Sequence, residues 1–324
     1  MKQMKYDSRL CPVLLLSVLV SCAGEDLGLK TWNAYRNPVV LGEVRNPDVI
    51  KADDTWYLYA DGGSEDGAIQ VRSSTDLVNW GALDPMFDAD TKPRFIPDAA
   101  VGCPSVLNTA GNYLLYYSLR KSDEECGLGV ASATTPTGPW TDHGALLVAS
   151  DISITKLSDP FAFEDDGALW LAFSASDGIY LQRLGDKGLS TTGDPVRVAE
   201  GPVTDPVLFK NEGTWFLLST KGVEDGGASS TAAITLSSAS SLTGPYGEGK
   251  TLIGRSAKFA GAGSPGHLVR DNGGNDWLLY NAYDLSSLSS GRTLMLDRIQ
   301  WDGNNTPWVR GNASSFYTDA PVTQ

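Results

Sequence analysis

The chain has 324 residues, 41% of them hydrophobic and 9% aromatic, enough apolar material to bury a full core and to exclude a largely disordered protein. Its formal net charge of −14 excludes a nucleic-acid binder, since phosphates require a basic stripe. The acidic residues are scattered without a run, as on a solvated surface, and say little about substrate.

Residues 1–22 read as an export signal. Lys2, Lys5 and Arg9 precede the apolar run Val13–Val20, which is too short to span a bilayer as a mature helix. Leu19-Val20-Ser21-Cys22 resembles the lipobox of bacterial lipoproteins, in which the cysteine becomes the lipidated first residue; an ordinary secretory signal is the alternative. The protein is thus expected at the outer membrane or cell surface as a lipoprotein, and otherwise periplasmic or secreted. Membrane contact is expected only through a lipid on Cys22. Cys103 and Cys126 are then the remaining thiols in an oxidising compartment; they either pair or stay free and buried.

Residues 25–45 read as a lead-in, with Trp32 and Tyr35 as packing residues. One domain then runs over 33–318. Its organising phrase is Leu157–Phe173: a polar residue and Pro160 open an apolar run, Asp165-Asp166-Gly167 turns it, and a second apolar run returns. This is a β-hairpin pattern, with proline tolerated at a strand start and glycine supplying positive φ in the turn. Four further copies carry Asn46-Pro47, Cys103-Pro104, Asp205-Pro206 and Ser264-Pro265, the five prolines being 57, 56, 46 and 59 residues apart. Whole-phrase repetition at this period predicts an all-β, five-bladed β-propeller of four-stranded blades, closed because each blade can bury its faces only against its neighbours. The residue before each proline should then face the central funnel. Trp56, Trp170, Trp215 and Trp277 recur at one point of the repeat and are expected between blades; one of Trp80, Trp140, Trp301 or Trp308 is a candidate wall for stacking a sugar. His143 is expected in a loop.

Further phrases accompany the copies in order: Arg72-Ser73-Ser74-Thr75-Asp76-Leu77-Val78-Asn79-Trp80, Pro136-Thr137-Gly138-Pro139-Trp140, Leu242-Thr243-Gly244-Pro245-Tyr246 and Gly291–Trp301. Together they resemble glycoside hydrolase family 43. The resemblance implies an enzyme that hydrolyses arabinose- and xylose-containing glycans with inversion, its partner being an oligo- or polysaccharide, with three carboxylates in the funnel; the chain is expected to be a monomer. The implied base position is Asn46, the implied pKa-tuning position Asp159 and the implied acid position Thr204. Only Asp159 keeps a carboxylate. No cofactor is required by this chemistry; the resemblance admits a structural calcium in the funnel, the frequent blade-five histidine falling at Pro265 with His267 two residues on.

Inverting hydrolysis needs one carboxylic acid to protonate the leaving oxygen and one carboxylate to activate water. An amide and a hydroxyl cannot do this. The expected site is therefore rearranged: Asp159, Asp205 and Asp48 are the catalytic candidates, with Asn46, Thr204 and His267 contacting substrate. Asp48 follows Asn46 by two residues, which in a regular strand puts it on the same face. Asp205 repeats the register of Asp159, and Glu200 copies the acid phrase four residues early. No metal ligands are assigned. The alternative is a catalytically silent propeller that retains the pocket and binds glycan.

Overall fold

In a computed structural model, which describes residues 33–323 apart from 63–68, 82–84, 89, 110 and 311–315, each copy of the repeated phrase lies in an antiparallel sheet. The expected export signal and Cys22 lie outside the described residues. Blade one comprises Arg45–Ala52, Thr55–Asp61 and Ile69–Ser74; blade two Ala100–Thr109, Asn112–Arg120, Cys126–Ala133 and Thr141–Val148. Blade three comprises Ser158–Asp165, Ala168–Ala175, Gly178–Leu184 and Thr191–Glu200; blade four Val203–Asn211, Thr214–Lys221, Ala233–Ala239 and Lys250–Ile253. In blade five the innermost place is divided between Phe259–Gly263 and Leu268–Arg270, both paired with Asp276–Asp284, and Arg292–Trp301 and Pro307–Val309 follow. These are five propeller blades, but blade one has three strands among the described residues rather than the expected four, with only an isolated Gln70–Pro85 bridge at its outer edge.

The turns form where the chemistry requires them. Asp166 and Gly167 both have positive φ between paired Asp165 and Ala168, a geometry that matches the right-handed twist of the flanking strands. Apolar clusters join neighbouring blades, and Trp56, Trp215 and Trp277 are buried in them, while Trp170 packs against them half-buried. Full burial of such large side chains contributes roughly 1.5–3 kcal/mol each, which is why the repeat keeps a tryptophan there.

The two ends of the ring meet at blade five. Ala34–Tyr35 pairs with Thr318–Asp319, and the lead-in bonds along Arg292–Trp301, with Val39 N donating to Leu294 O and Val44 N to Arg292 O. Buried Asn37 imitates a strand residue, its amide both donating to Leu296 O and accepting from Leu296 N.

The feature that positions the site is a repeated bulge. Asn46, Cys103, Asp159, Asp205 and Ser264 all adopt left-handed backbone, with φ of 47°, 53°, 50°, 53° and 45°, and the ladder register slips beside each. A bulge of this kind re-aims one side chain, and here it turns five of them towards the axis. Asparagine and aspartate tolerate this conformation best, while cysteine and serine hold it at some cost.

The two thiols do not pair. Cys103 lies on the innermost strand of blade two, where its sulfur accepts from Asn46 Nδ2, whereas Cys126 starts the third strand and is bonded to Asp123 O and Leu157 N. His143, expected in a loop, sits on the exposed outer strand of blade two with a nitrogen 2.7 Å from Ser132 Oγ.

Candidate active site

The five bulges surround a narrow channel of about 30 Å³ that opens into a funnel of about 800 Å³. The funnel wall holds six carboxylates, Asp61, Asp159, Asp205, Glu224 and Asp225 with Glu43 at its edge, together with Arg292 and the cations Arg45, Arg120 and Lys156. Asp159 and Asp205 come from the ring, as their register predicts. Asp61 ends the second strand of blade one, and Glu224 and Asp225 lie in the loop after the second strand of blade four.

These groups are linked. Asp61 Oδ2 accepts from Asn46 Nδ2 at 2.6 Å and Oδ1 accepts from Cys103 N at 2.8 Å. Asn46 Oδ1 accepts from Ser264 Oγ at 2.9 Å, and Ser264 Oγ reaches Glu224 Oε2 at 3.2 Å. Arg292, almost fully buried, donates to Glu224 at 2.8 Å and to Asp225 at 2.6 Å. Thr204 Oγ1 donates to Asp205 Oδ2 at 2.9 Å, and Ser158 Oγ to Asp159 Oδ2 at 2.9 Å. Glycines leave room: a Cβ on Gly102 would stand 3.0 Å from Asp61 Oδ2, and one on Gly263 3.0 Å from Glu224 Oε2.

Crowding of carboxylates in a poorly solvated funnel favours protonation. Burial pushes the Asp61 carboxyl up to about 7, against the opposing hydrogen bonds from Asn46 and Cys103, and the Asp159 charge adds to it. Burial first, then the charges of Glu224 and Asp159, raise Asp205 well above the carboxylate range. Glu224 is also raised by burial and by Asp159, but the Arg292 guanidinium opposes this. Asp205 is therefore the group of this pair that keeps the proton, and Glu224 the one that stays ionised against arginine.

Asp48 and His267 are placed elsewhere. Asp48 is buried beside the narrow channel, where Oδ2 accepts from Val106 N at 2.7 Å and Oδ1 from His267 N at 3.2 Å and from the His267 ring. His267 donates its other nitrogen to Ala162 O at 3.0 Å and lies against the Phe161 ring at 4.2 Å between centroids. Both nitrogens face oxygens; burial opposes a charge on the ring, but Asp48 raises its pKa on balance. This cluster ties blades one, two, three and five together below the funnel. Glu200 is exposed and paired with Arg197. The regular-strand argument that put Asp48 beside Asn46 is undone by the bulge at Asn46, which breaks the two-residue alternation. Asp61, Glu224 and Arg292 were not singled out by the sequence reading.

A calcium ion held through His267 does not fit this donor set, because both ring nitrogens are already engaged, one by Asp48 and the other by Ala162 O. Among the described residues no group of three or more His, Cys, Asp or Glu side chains is arranged to hold a metal. Nor does an aromatic wall line the funnel among the described residues: Trp140 is buried, Trp80 and Trp301 are half-buried in packing, and exposed Trp308 borders a different groove between blades four and five.

Residues 35–307 match glycosyl hydrolases family 43. The chain is 27% identical over 247 residues to an extracellular endo-α-(1→5)-L-arabinanase of Bacillus subtilis, covering 72% of this chain and 74% of that one. To an extracellular exo-α-(1→5)-L-arabinofuranosidase of Cellvibrio japonicus it is 24% identical over 308 residues, covering 82% and 86%. Among solved structures, the α-L-arabinanase of Cellvibrio cellulosa complexed with arabinohexaose aligns with a TM-score of 0.75 at 22% identity, over 85% of this chain and 99% of that one, a likeness of fold.

Proposed function

The chain belongs to family 43 of the glycosyl hydrolases, and on that premise we propose that it hydrolyses glycosidic bonds in arabinose- or xylose-containing glycans by inversion, with Asp205 as the proton donor. The observation that carries this reading is the Asp205–Glu224 pair, in which burial and a neighbouring charge keep a carboxylic acid protonated at the wall of an open funnel. That is the condition a general acid must meet near neutral pH. Thr204, at the implied acid position, serves by donating to Asp205 instead of to a leaving oxygen. Asp159 acts on both carboxyls of the pair through its charge and so tunes them. Asp48 and His267 have the role of holding the ring in register, since their polar atoms are already engaged.

The test is a panel of aryl arabinofuranosides, xylosides and galactosides with the anomer of the product followed by NMR. Turnover with inversion that falls at least 100-fold in Asp205→Asn is expected; retention of configuration, or an undiminished variant, would refute the assignment. A second reading, a silent glycan-binding propeller, is favoured by one observation, the amide and hydroxyl at Asn46 and Thr204. Glycan-array binding without turnover would establish it. Export with a lipid on Cys22 is part of the same proposal, supported by Leu19-Val20-Ser21-Cys22; palmitate labelling that persists in Cys22→Ala would remove the anchor.

A further inference from the structure

The residue facing the one before each ring position is equivalent in all five blades. Asp61 pairs with Arg45, Ser118 with Gly102, Ser174 with Ser158, Thr220 with Thr204 and Asn281 with Gly263. The structural task of this position is visible in blades three and four, where it is occupied by a hydroxyl. Ser174 Oγ accepts from Asp205 N and Thr220 Oγ1 from Ser264 N, each at 3.0 Å, so the second strand of one blade satisfies the left-handed residue of the next. Asp61 performs the same task for Cys103 N. A hydroxyl suffices in blades three and four, Ser118 bonds instead to Gly102 O of its own blade and buried Asn281 makes no side-chain hydrogen bond; blade one alone uses a carboxylate, although burial there opposes its charge.

The extra oxygen of Asp61 points to Asn46, the residue that stands where the family resemblance implies a base. Gly102 leaves the space the carboxylate occupies, and the group lines the open funnel, only partly buried. We propose that Asp61 is the general base of this enzyme, displaced by one strand from the ring and oriented by the Asn46 amide. The inference rests on the hydrolase reading above. In the step it describes, a water held by Asp61 attacks the anomeric carbon, and its proton passes to the Asp61 carboxylate as the C–O bond forms. The bond to the leaving sugar breaks, and the leaving oxygen takes the acid's proton. Release of the proton from Asp61 to solvent and reprotonation of the acid complete the cycle.

Asp61→Ser tests this, because it installs the hydroxyl that blades three and four use at the same place. The variant should melt like wild type and lose about 10²–10⁴-fold in kcat, with little change in KM, on both dinitrophenyl and sugar leaving groups. Sodium azide should restore consumption of the dinitrophenyl pentoside and give a glycosyl azide of inverted configuration by NMR. Activity within tenfold of wild type would overturn the proposal, as would an inactive variant that forms no glycosyl azide, which is the behaviour of a positioning residue. If Asp61→Ser does not fold, Asp61→Asn is read in the same way, and unfolding of both would make Asp61 structural and overturn the assignment. A wild type without turnover on any pentoside would instead remove the hydrolase reading and this inference with it.

Discussion

Restoring the carboxylates that the family resemblance implies should impair this protein. In Asn46→Asp an oxygen replaces the amide nitrogen that now lies 2.6 Å from Asp61 Oδ2. Two carboxylates about 4 Å apart at an effective dielectric constant near 20 repel by roughly 4 kcal/mol, equivalent to about 3 pKa units at 1.36 kcal/mol each. One of the two must therefore be protonated in the folded state across neutral pH, while both are ionised when unfolded. Wild type already carries one such extra proton on folded Asp61 up to about pH 7; the variant keeps it above that, so its deficit grows as pH rises beyond about 7, by up to about 1.4 kcal/mol per pH unit. Urea denaturation should show a larger deficit against wild type at pH 8 than at pH 5. Turnover should fall as well, because the remaining carboxylate accepts a hydrogen bond from the protonated one and becomes a weaker base. Thr204→Glu adds a further acid beside Asp205 and Glu224, and the double variant should be worse than either single one. A rise in kcat for the double variant, or an equal stability loss at both pH values, would refute the reasoning.

Three further outcomes follow from the same geometry. His267→Ala removes a ring held by Asp48 and Ala162 O; because its folded pKa is raised, the stabilisation from its charged form is present below about pH 6.5 and fades as pH rises through the folded value, so the melting-temperature deficit should be larger at pH 5.5 than at pH 8.5. Gly102→Ala places a methyl 3.0 Å from Asp61 Oδ2 and should lower kcat at least tenfold while moving the melting temperature by only a few degrees, measured on the same preparation. Arg292→Met strips the cation from Glu224 and should cost about 3 kcal/mol in urea denaturation, less at pH 5, where Glu224 can take up a proton.

The repeat was legible because a proline and an apolar hairpin recur as one phrase, and the ring residues were legible because each precedes that proline. Asp159 and Asp205 were found in this way. Asp48 was placed by assuming an unbroken strand, which fails where backbone enters the left-handed region at Asn46. Asp61 left a readable signal that was not used: aligning the second strands would have set one carboxylate against Ser118, Ser174, Thr220 and Asn281. Glu224 left none, since it lies in a loop outside the repeat and acquires its role from Arg292, a residue 68 positions away. Blade one's short outer edge was equally hidden, because outermost strands carry no part of the repeated phrase.

The shared left-handed bulge has a consequence for how such a protein can change. Asparagine, cysteine, two aspartates and serine occupy five sockets of nearly identical backbone, so what a socket presents to the axis is set by one codon and not by the fold around it. A propeller built this way can lose a reactive group from one socket and recruit another from the strand behind it without remodelling the barrel of blades, and its chemistry can migrate around the funnel while its shape stays still.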